Sequence, residues 1–144
     1  MSEDNKSLVR RAFEEIYNQG NLFAVDDYVA GNFVIHASSQ DIHGPAGTKQ
    51  YMAMLREAFP DFHMTIEDQV ADGDRVVTRW TAEGTHLGEF QGLPPTSKHW
   101  RMTGIDIDRV VDGKVVECWT NTDDLGLMRQ LGVIPAPERV GQPS

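Results

Sequence analysis

Two Asp-Gly pairs organise the second half of this chain. Asp72-Gly73 and Asp112-Gly113 each stand between runs of alternating apolar and polar residues. The pair is a turn signal, because glycine enters the left-handed backbone region that tight hairpin turns require. Ahead of the first pair, Phe62, Met64 and Ile66 alternate with His63, Thr65 and Glu67; a second run follows over 75–86. Ahead of the second pair lies a long run over 98–111, and behind it another over 114–121. Alternation with period two is strand periodicity, so these runs predict hairpin-connected antiparallel strands.

The first half has a different period. Leu8, Ala12, Phe13, Ile16 and Tyr17 fall at helical spacing within 4–18, and Gly20 closes that helix. A shorter helix is expected over 22–28 and a short β segment over 32–36. Gly44-Pro45 opens a helix with Tyr51, Met52, Leu55, Ala58 and Phe59 on one side, and Pro60 stops it. A last helix over 123–131 is capped by Thr122 or Asp123 and closed by Gly132. Helices first and a hairpin sheet second give an α+β fold, with the N-terminal helices packed over one face of a curved antiparallel sheet. Such a sheet leaves a cone whose mouth can enclose a small apolar molecule. The later strands are apolar on both faces. The back of the sheet is therefore expected to be covered as well, most simply by a second copy in a homodimer or dimer-based oligomer. One domain over 1–134 and a loose tail over 135–144 complete the expected organisation.

Composition narrows the function classes. With 13 basic against 22 acidic residues the formal net charge is −9, and the basic residues are scattered. A nucleic-acid partner needs the opposite, clustered Lys and Arg. No apolar run approaches membrane-spanning length, and the start Met-Ser-Glu-Asp carries no apolar segment. A single cysteine, Cys118, allows no intrachain disulfide, so a cytoplasmic home is expected. His36, His43, His63, His86 and His99 lack the close spacing of a zinc site, and no metal is expected. The loop over 88–95 has neither the Lys-Ser/Thr ending nor the strand-to-helix context of a phosphate loop, and no Gly-x-Ser-x-Gly elbow exists.

Asp106 is the main candidate for chemistry. It sits inside a strand, on the same face as Trp100 and Met102, where carboxylates are rare. Facing an apolar cavity, its pKa rises, which suits a base that removes a proton near neutral pH. The competing reading is a solvated face, with Asp108 and Arg109 marking the wet end of the strand. The hairpin register bears on the choice. A two-residue turn pairs Val111 with Lys114 and puts Asp106 opposite Trp119. A three-residue turn with a glycine bulge pairs Val110 with Lys114 and puts Asp106 opposite Cys118. The bulged register is preferred; it gathers Trp100, Met102, Gly104, Asp106, Val116, Cys118 and Thr120 on one face. Ile105, Ile107, Val115 and Trp119 then share the other.

His36 and His86 end strands near the expected cavity mouth and are candidate catalytic partners. Tyr17, Tyr51 and Met52 on the apolar helix faces, with Trp100, Met102, Cys118 and Thr120 from the sheet, are candidate ligand contacts. Cys118 reads as a small buried hydrophobe, since no helix N-terminus is near to lower its pKa.

Several short motifs, in order, resemble one family. They are Tyr17-Asn18-Gln19-Gly20, His43-Gly44-Pro45, the stretch from His86 through Gly88 and Phe90 to Thr96, and Arg109 through Asp112-Gly113 to Lys114. Glu117, Trp119 and Asp123 continue the series, which ends on Arg129-Gln130-Leu131-Gly132. Together they resemble the SnoaL-like polyketide cyclases, a group often called ester cyclases. The resemblance implies a nuclear-transport-factor-like cone and a homo-oligomer with neither metal nor cofactor. It also implies intramolecular aldol closure by an aspartate near the end of the last strand and a histidine on the neighbouring strand. Here the aspartate position holds Thr120, the histidine position holds Asp106, and a glutamine two residues earlier becomes Gly104. Tyr17 falls where the cyclases carry an aromatic pocket residue, and Asp123 matches a recurrent aspartate of the family.

Three functions follow as expectations. The first is proton abstraction next to a carbonyl by Asp106, with Tyr17, His36 or His86 stabilising the enolate and cyclisation or isomerisation as the outcome. The second is a hydrolase or hydratase in which Asp106 activates water. The third is a binding protein that holds an apolar ligand without chemistry.

Overall fold

The computed structural model describes residues 2–37 and 40–135. The expected loose tail lies, from 136 on, outside the described residues. α1 (Ser2–Ala12) runs directly into a π-helical segment, Phe13–Asn18. There follow α2 (Ala24–Tyr28), β1 (Val29–His36), β2 (Asp41–His43), α3 (Gly44–Ala58), β3 (His63–Asp72), β4 (Arg75–Thr85), β5 (His99–Val111), β6 (Lys114–Thr122) and α4 (Asp124–Gln130). Sequence periodicity did not reveal β2, because three residues are too few to show alternation.

The six strands form one sheet in the order β2-β1-β6-β5-β4-β3. Every ladder is antiparallel except β1 with β6, which run parallel, so the sheet is mixed rather than wholly antiparallel. Burial alternates along β4 and β5, and the inward residues include Val76, Trp80, Ala82, Trp100 and Val110. Against them pack Val9 from α1, Phe13 and Ile16 from the π-helical segment, and Met52 and Leu55 from α3. α3 starts on Gly44, whose φ of +71° turns the chain out of β2, with Pro45 in its first turn. At the head of α4 the Asp123 carboxylate accepts the Gly126 N–H at 3.0 Å, so Asp123 is the cap.

The two Asp-Gly pairs make different turns. Asp72 pairs with Arg75, which leaves Gly73 and Asp74 as the turn, with φ of +60° at Gly73 alone. Glycine first and an ordinary residue second is the type II′ pattern. Val111 pairs with Lys114, and Asp112 and Gly113 both take positive φ, 51° and 76°, as type I′ requires.

The turn is the two-residue one, pairing Val111 with Lys114, rather than the preferred three-residue one, but neither expected partner of Asp106 is the one found. Val110 pairs with Val115, and Arg109 next pairs with Glu117, so Val116 is an extra residue in β6. The bulge lies one pair beyond the turn instead of within it, and Asp106 consequently faces Thr120. Two residues of slip restore the parity of the bulged reading, so Asp106, Cys118 and Thr120 do share a face. Val115, expected on the face away from Asp106, is buried at 4% exposure, whereas Val116 is half-buried. Among the described residues no helix is long and apolar enough to cross a membrane.

Candidate active site

Between the helices and the concave sheet lies a cavity of about 250 Å³. Tyr17 and Tyr51 line it from the helical side, Phe59, Trp100 and Met102 form much of its apolar wall, and Asp106, Cys118 and Thr120 come from the central strands. A smaller chamber of about 40 Å³ lies alongside; Tyr17, Ile35, Asp106 and Cys118 border both spaces.

Asp106 is only 4% exposed. Two neighbouring strands hold its carboxylate. From β4, the Trp80 Nε1–H donates to Oδ1 at 3.0 Å, and from β6 the Thr120 hydroxyl donates to the same oxygen at 2.5 Å. Gly104 makes the first contact available. Trp80 and Gly104 are direct partners across the β4–β5 ladder, and a Cβ on Gly104 would stand 2.2 Å from Trp80 Cζ2. The indole therefore lies across the bare glycine, with its N–H turned toward the carboxylate two residues along β5. Burial raises the Asp106 pKa above the ordinary carboxylate value, and the donors Thr120, Trp80 and Cys118 oppose that rise. The solvated-face reading fails on these observations. Asp108, 6% exposed, is buried beside Asp106 rather than at a wet strand end.

The phenols are poised as donors. Burial, and next the charge of Asp106, hold the Tyr17 hydroxyl protonated well above its ordinary range. Burial and then the charge of Asp124 push Tyr51 up to about 12. Tyr17 is half-buried and lines the cavity. The next residue anchors this geometry. Asn18 Nδ2 donates to the Met64 carbonyl at 2.9 Å, and its Oδ1 accepts the Met64 N–H at 2.7 Å. This amide pair ties the π-helical segment to the edge strand β3 and sets Tyr17 over the sheet. π-helical turns recur at functional sites because they re-aim one side chain.

Three sequence-based placements need correction. His36 lies outside the cavity lining: Ile35 points in, so His36, the next residue of β1, points out. There its Nε2 meets Glu117 at 2.7 Å, its Nδ1 meets Asp41 at 3.2 Å, and its ring stacks on Trp119. His86 is fully buried beneath the loop that follows β4. Its Nδ1 accepts the Thr96 N–H at 3.2 Å, and its ring packs on Phe59 rather than lining the cavity. Met52 is likewise absent from the lining; one residue beyond Tyr51 on α3, it is buried in the core. The other sheet and tyrosine candidates border the cavity. Sequence reasoning missed Trp80, Gly104 as its seat, and Asp108. The signal for Asp108 was available, since alternation puts residues two apart on one face.

Asp106, Asp108 and Cys118 form one buried group, with one ligating atom from each lying within 4.8 Å of the others. The donor set suits a proton better than a cation. No histidine joins it, and Asp106 Oδ1 is already engaged by Trp80 and Thr120. Burial, followed by the charges of Asp108 and Asp106, pushes the Cys118 thiol well up, so it stays protonated and is not a nucleophile.

The sequence profile of the SnoaL-like polyketide cyclases matches residues 7–131. The chain belongs to this family. Aklanonic acid methyl ester cyclase DnrD of Streptomyces peucetius is 29% identical over 136 residues, 91% of this chain and 93% of that protein. Nogalonic acid methyl ester cyclase of Streptomyces nogalater is 29% identical over 119 residues, 81% and 89% of the two chains. Among solved structures, IdmH from Streptomyces antibioticus, a candidate polyketide cyclase, is 33% identical with a TM-score of 0.76, covering 89% of this chain and 98% of its own. AclR from Streptomyces galilaeus, a candidate hydroxylase, has a TM-score of 0.85 at 28% identity, covering 97% and 88%. The fold by itself does not decide a reaction; the side chains of each cavity do.

Proposed function

We propose that this SnoaL-like chain is an enzyme of proton-transfer type, acting without a cofactor on a small, apolar, polyketide-like substrate. One observation carries the reading: a carboxylate, held on one oxygen by two donors, stands at the wall of an apolar cavity with neutral phenols nearby. Asp106 takes the acidic proton next to a substrate carbonyl, and the electron pair passes to the carbonyl oxygen as an enolate. Tyr17 and Tyr51 are the donors able to meet that oxygen. In ring closure the enolate carbon bonds to a second carbonyl carbon of the same molecule, and the resulting alkoxide recovers the proton from Asp106. In isomerisation the proton returns to a different carbon. Either way the protein ends as it began.

Relative to the family pattern, the carboxylate has moved across one ladder. The position expected to hold aspartate is Thr120 and its direct partner is Asp106. Neighbouring strands lie about 4.8 Å apart, so the charge is displaced by one strand spacing while remaining on the cavity wall. The cavity is at or below the small end of ligand pockets, about 300–1,000 Å³, which favours a compact substrate over an extended polycycle.

The same reading assigns the chain to a homodimer built on the outer face of the sheet, where Ile105 is 47% exposed and Ile107 and Trp119 are half-buried. It places the work in the cytoplasm, where the lone Cys118 has no call for oxidising surroundings.

The test uses aklanonic acid methyl ester, the compound in the relatives' names, and smaller β-keto esters as probes, with products resolved by chromatography. Turnover of one of them is expected, and Asp106→Asn should reduce it by about 10²–10⁴-fold, the usual contribution of a positioned base. Thermal-shift binding should survive that substitution. Undiminished turnover in Asp106→Asn would defeat the reading. Binding of a probe without turnover by the unmodified protein would favour a ligand carrier instead.

A further inference from the structure

The mechanism above leaves Asp108 without a task. It is a 6%-exposed carboxyl on the same strand and face as the base, and its Oδ2 has no hydrogen-bond partner among the described residues. Ligating atoms of Asp106, Asp108 and Cys118 lie within 4.8 Å of one another. Two negative charges so close, in surroundings of low dielectric, repel strongly, and a single proton held in common removes the repulsion.

Among the described residues, the surroundings offer no compensating positive charge. Across the two spaces that meet at Asp106, the titratable lining groups are Tyr17 from the helical segment, Tyr51 from α3, Cys118 from β6 and Asp124 at the head of α4. Among the described residues, no Lys, Arg or His lines either space. The residues of α1, β1 and β4 bordering the inner chamber and the base are apolar or uncharged, as with Val9, Phe33 and Trp80. The proton is not shared evenly. Asp106 has the Trp80 and Thr120 donors on Oδ1, whereas Asp108 Oδ2 has no partner among the described residues and the Cys118 thiol serves both carboxyls. Asp106 also borders the main cavity, while Asp108 borders only the inner chamber, behind the base.

We propose that Asp108 is a positioning residue for Asp106: the two carboxyls and the Cys118 thiol form a buried acid pair carrying one negative charge, with the proton kept on Asp108 and the charge turned toward the cavity. Asp106 then remains an available base even though it is buried. When it takes a substrate proton, the C–H bond breaks, an O–H bond forms on Asp106, and the electron pair stays on the substrate. The pair is then neutral until the proton returns. The description of Asp106 as a base rests on the function proposed above; the shared proton does not.

The experiment is a carbon-13 titration of the intact chain labelled at aspartate carboxyls, with Asp106→Asn and Asp108→Asn used to assign the two signals. At pH 7 the Asp108 signal is expected at the protonated position, after Asp106 has ionised at lower pH. In Asp106→Asn the Asp108 midpoint should fall by about one pH unit or more, because the neighbouring charge is gone. Two ionised carboxylates at pH 7, or an Asp108 midpoint unmoved by Asp106→Asn, would overturn the proposal. So would a stoichiometric divalent metal in chelator-free protein whose removal shifts both signals. Thermal unfolding gives a second reading that needs no assignment. A carboxyl with a raised folded pKa costs stability increasingly as pH rises above its unfolded value, so Asp108→Asn should gain melting temperature more at pH 8 than at pH 5. A pH-independent change would count against it. Neither measurement uses a substrate, so an intact acid pair in a protein inert toward every probe would reject the enzymatic reading alone.

Discussion

Thr120 donates its hydroxyl to Asp106 Oδ1 at 2.5 Å across the β5–β6 ladder. This bond ties the residue proposed as the base to the neighbouring strand β6. A donor to a carboxylate favours the charged form, so it works against the burial that raises the Asp106 pKa. Thr120→Val keeps the shape and removes the donor. The acid limb of the pH–rate profile should then move up by about one to two units, since a hydrogen bond to a charged group contributes about 1.5–3 kcal/mol. A profile that drops at all pH values without shifting would assign Thr120 a packing role only.

Tyr17 lines the cavity as a neutral phenol, with its pKa raised by burial and by Asp106. Tyr17→Phe keeps the ring, which packs on Phe13 and Phe62. Stability should change little, while turnover falls by about 10²-fold, the loss typical of a missing oxyanion donor. Steady-state kinetics with the best probe checks this, and an unchanged kcat would transfer the donor role to Tyr51.

Gly104 has room for hydrogen only, because a Cβ there would meet the Trp80 indole at 2.2 Å. Trp80 is 3% exposed, and its indole would have to shift off the glycine, away from Asp106, to admit the methyl group. Gly104→Ala should destabilise the protein by about 1–3 kcal/mol in urea unfolding and weaken the Trp80–Asp106 bond. Gly31→Ala is the control: nothing lies within 4 Å of its Cβ position, and the change should be close to neutral.

His36 and Glu117 make a pH-dependent tie on the outer face. The Glu117 hydrogen bond, and then that of Asp41, raise the His36 pKa; His36 in turn holds Glu117 below its ordinary value. The raised histidine contributes stability that is complete below its unfolded pKa and is lost as pH rises through the folded one. The lowered glutamate contributes above its unfolded pKa and loses that as pH falls. The tie is therefore strongest between the depressed glutamate value and the elevated histidine value. Melting curves of His36→Gln should diverge from the unmodified protein near pH 6 and converge with it near pH 9. Turnover should be unaffected throughout, because the ring faces away from the cavity.

Much of the fold was legible because it is local. Gly20, Gly44-Pro45 and the two Asp-Gly pairs mark where the chain must turn, and each does so through backbone freedom or restriction at that residue. The facing of Asp106 with Trp100 and Met102 follows from strand alternation alone, whereas the inward placement of Cys118 depends on the hairpin register and so on the bulge at Val116. His36 and His86 were misjudged for one reason: standing at a strand end says nothing about which side of the sheet a ring occupies or what it bonds.

The residues by themselves determined the order of elements, the α+β class and a carboxylate on the apolar face of a central strand, since these depend on periods of a few residues. Only the assembled sheet decided what that carboxylate meets. The extra residue at Val116 sets Thr120 opposite Asp106, Gly104 lets Trp80 reach it, and the packed helices close Asp108 in behind it. Those relations join positions far apart in the chain, through bulges and packing whose energies no local pattern encodes.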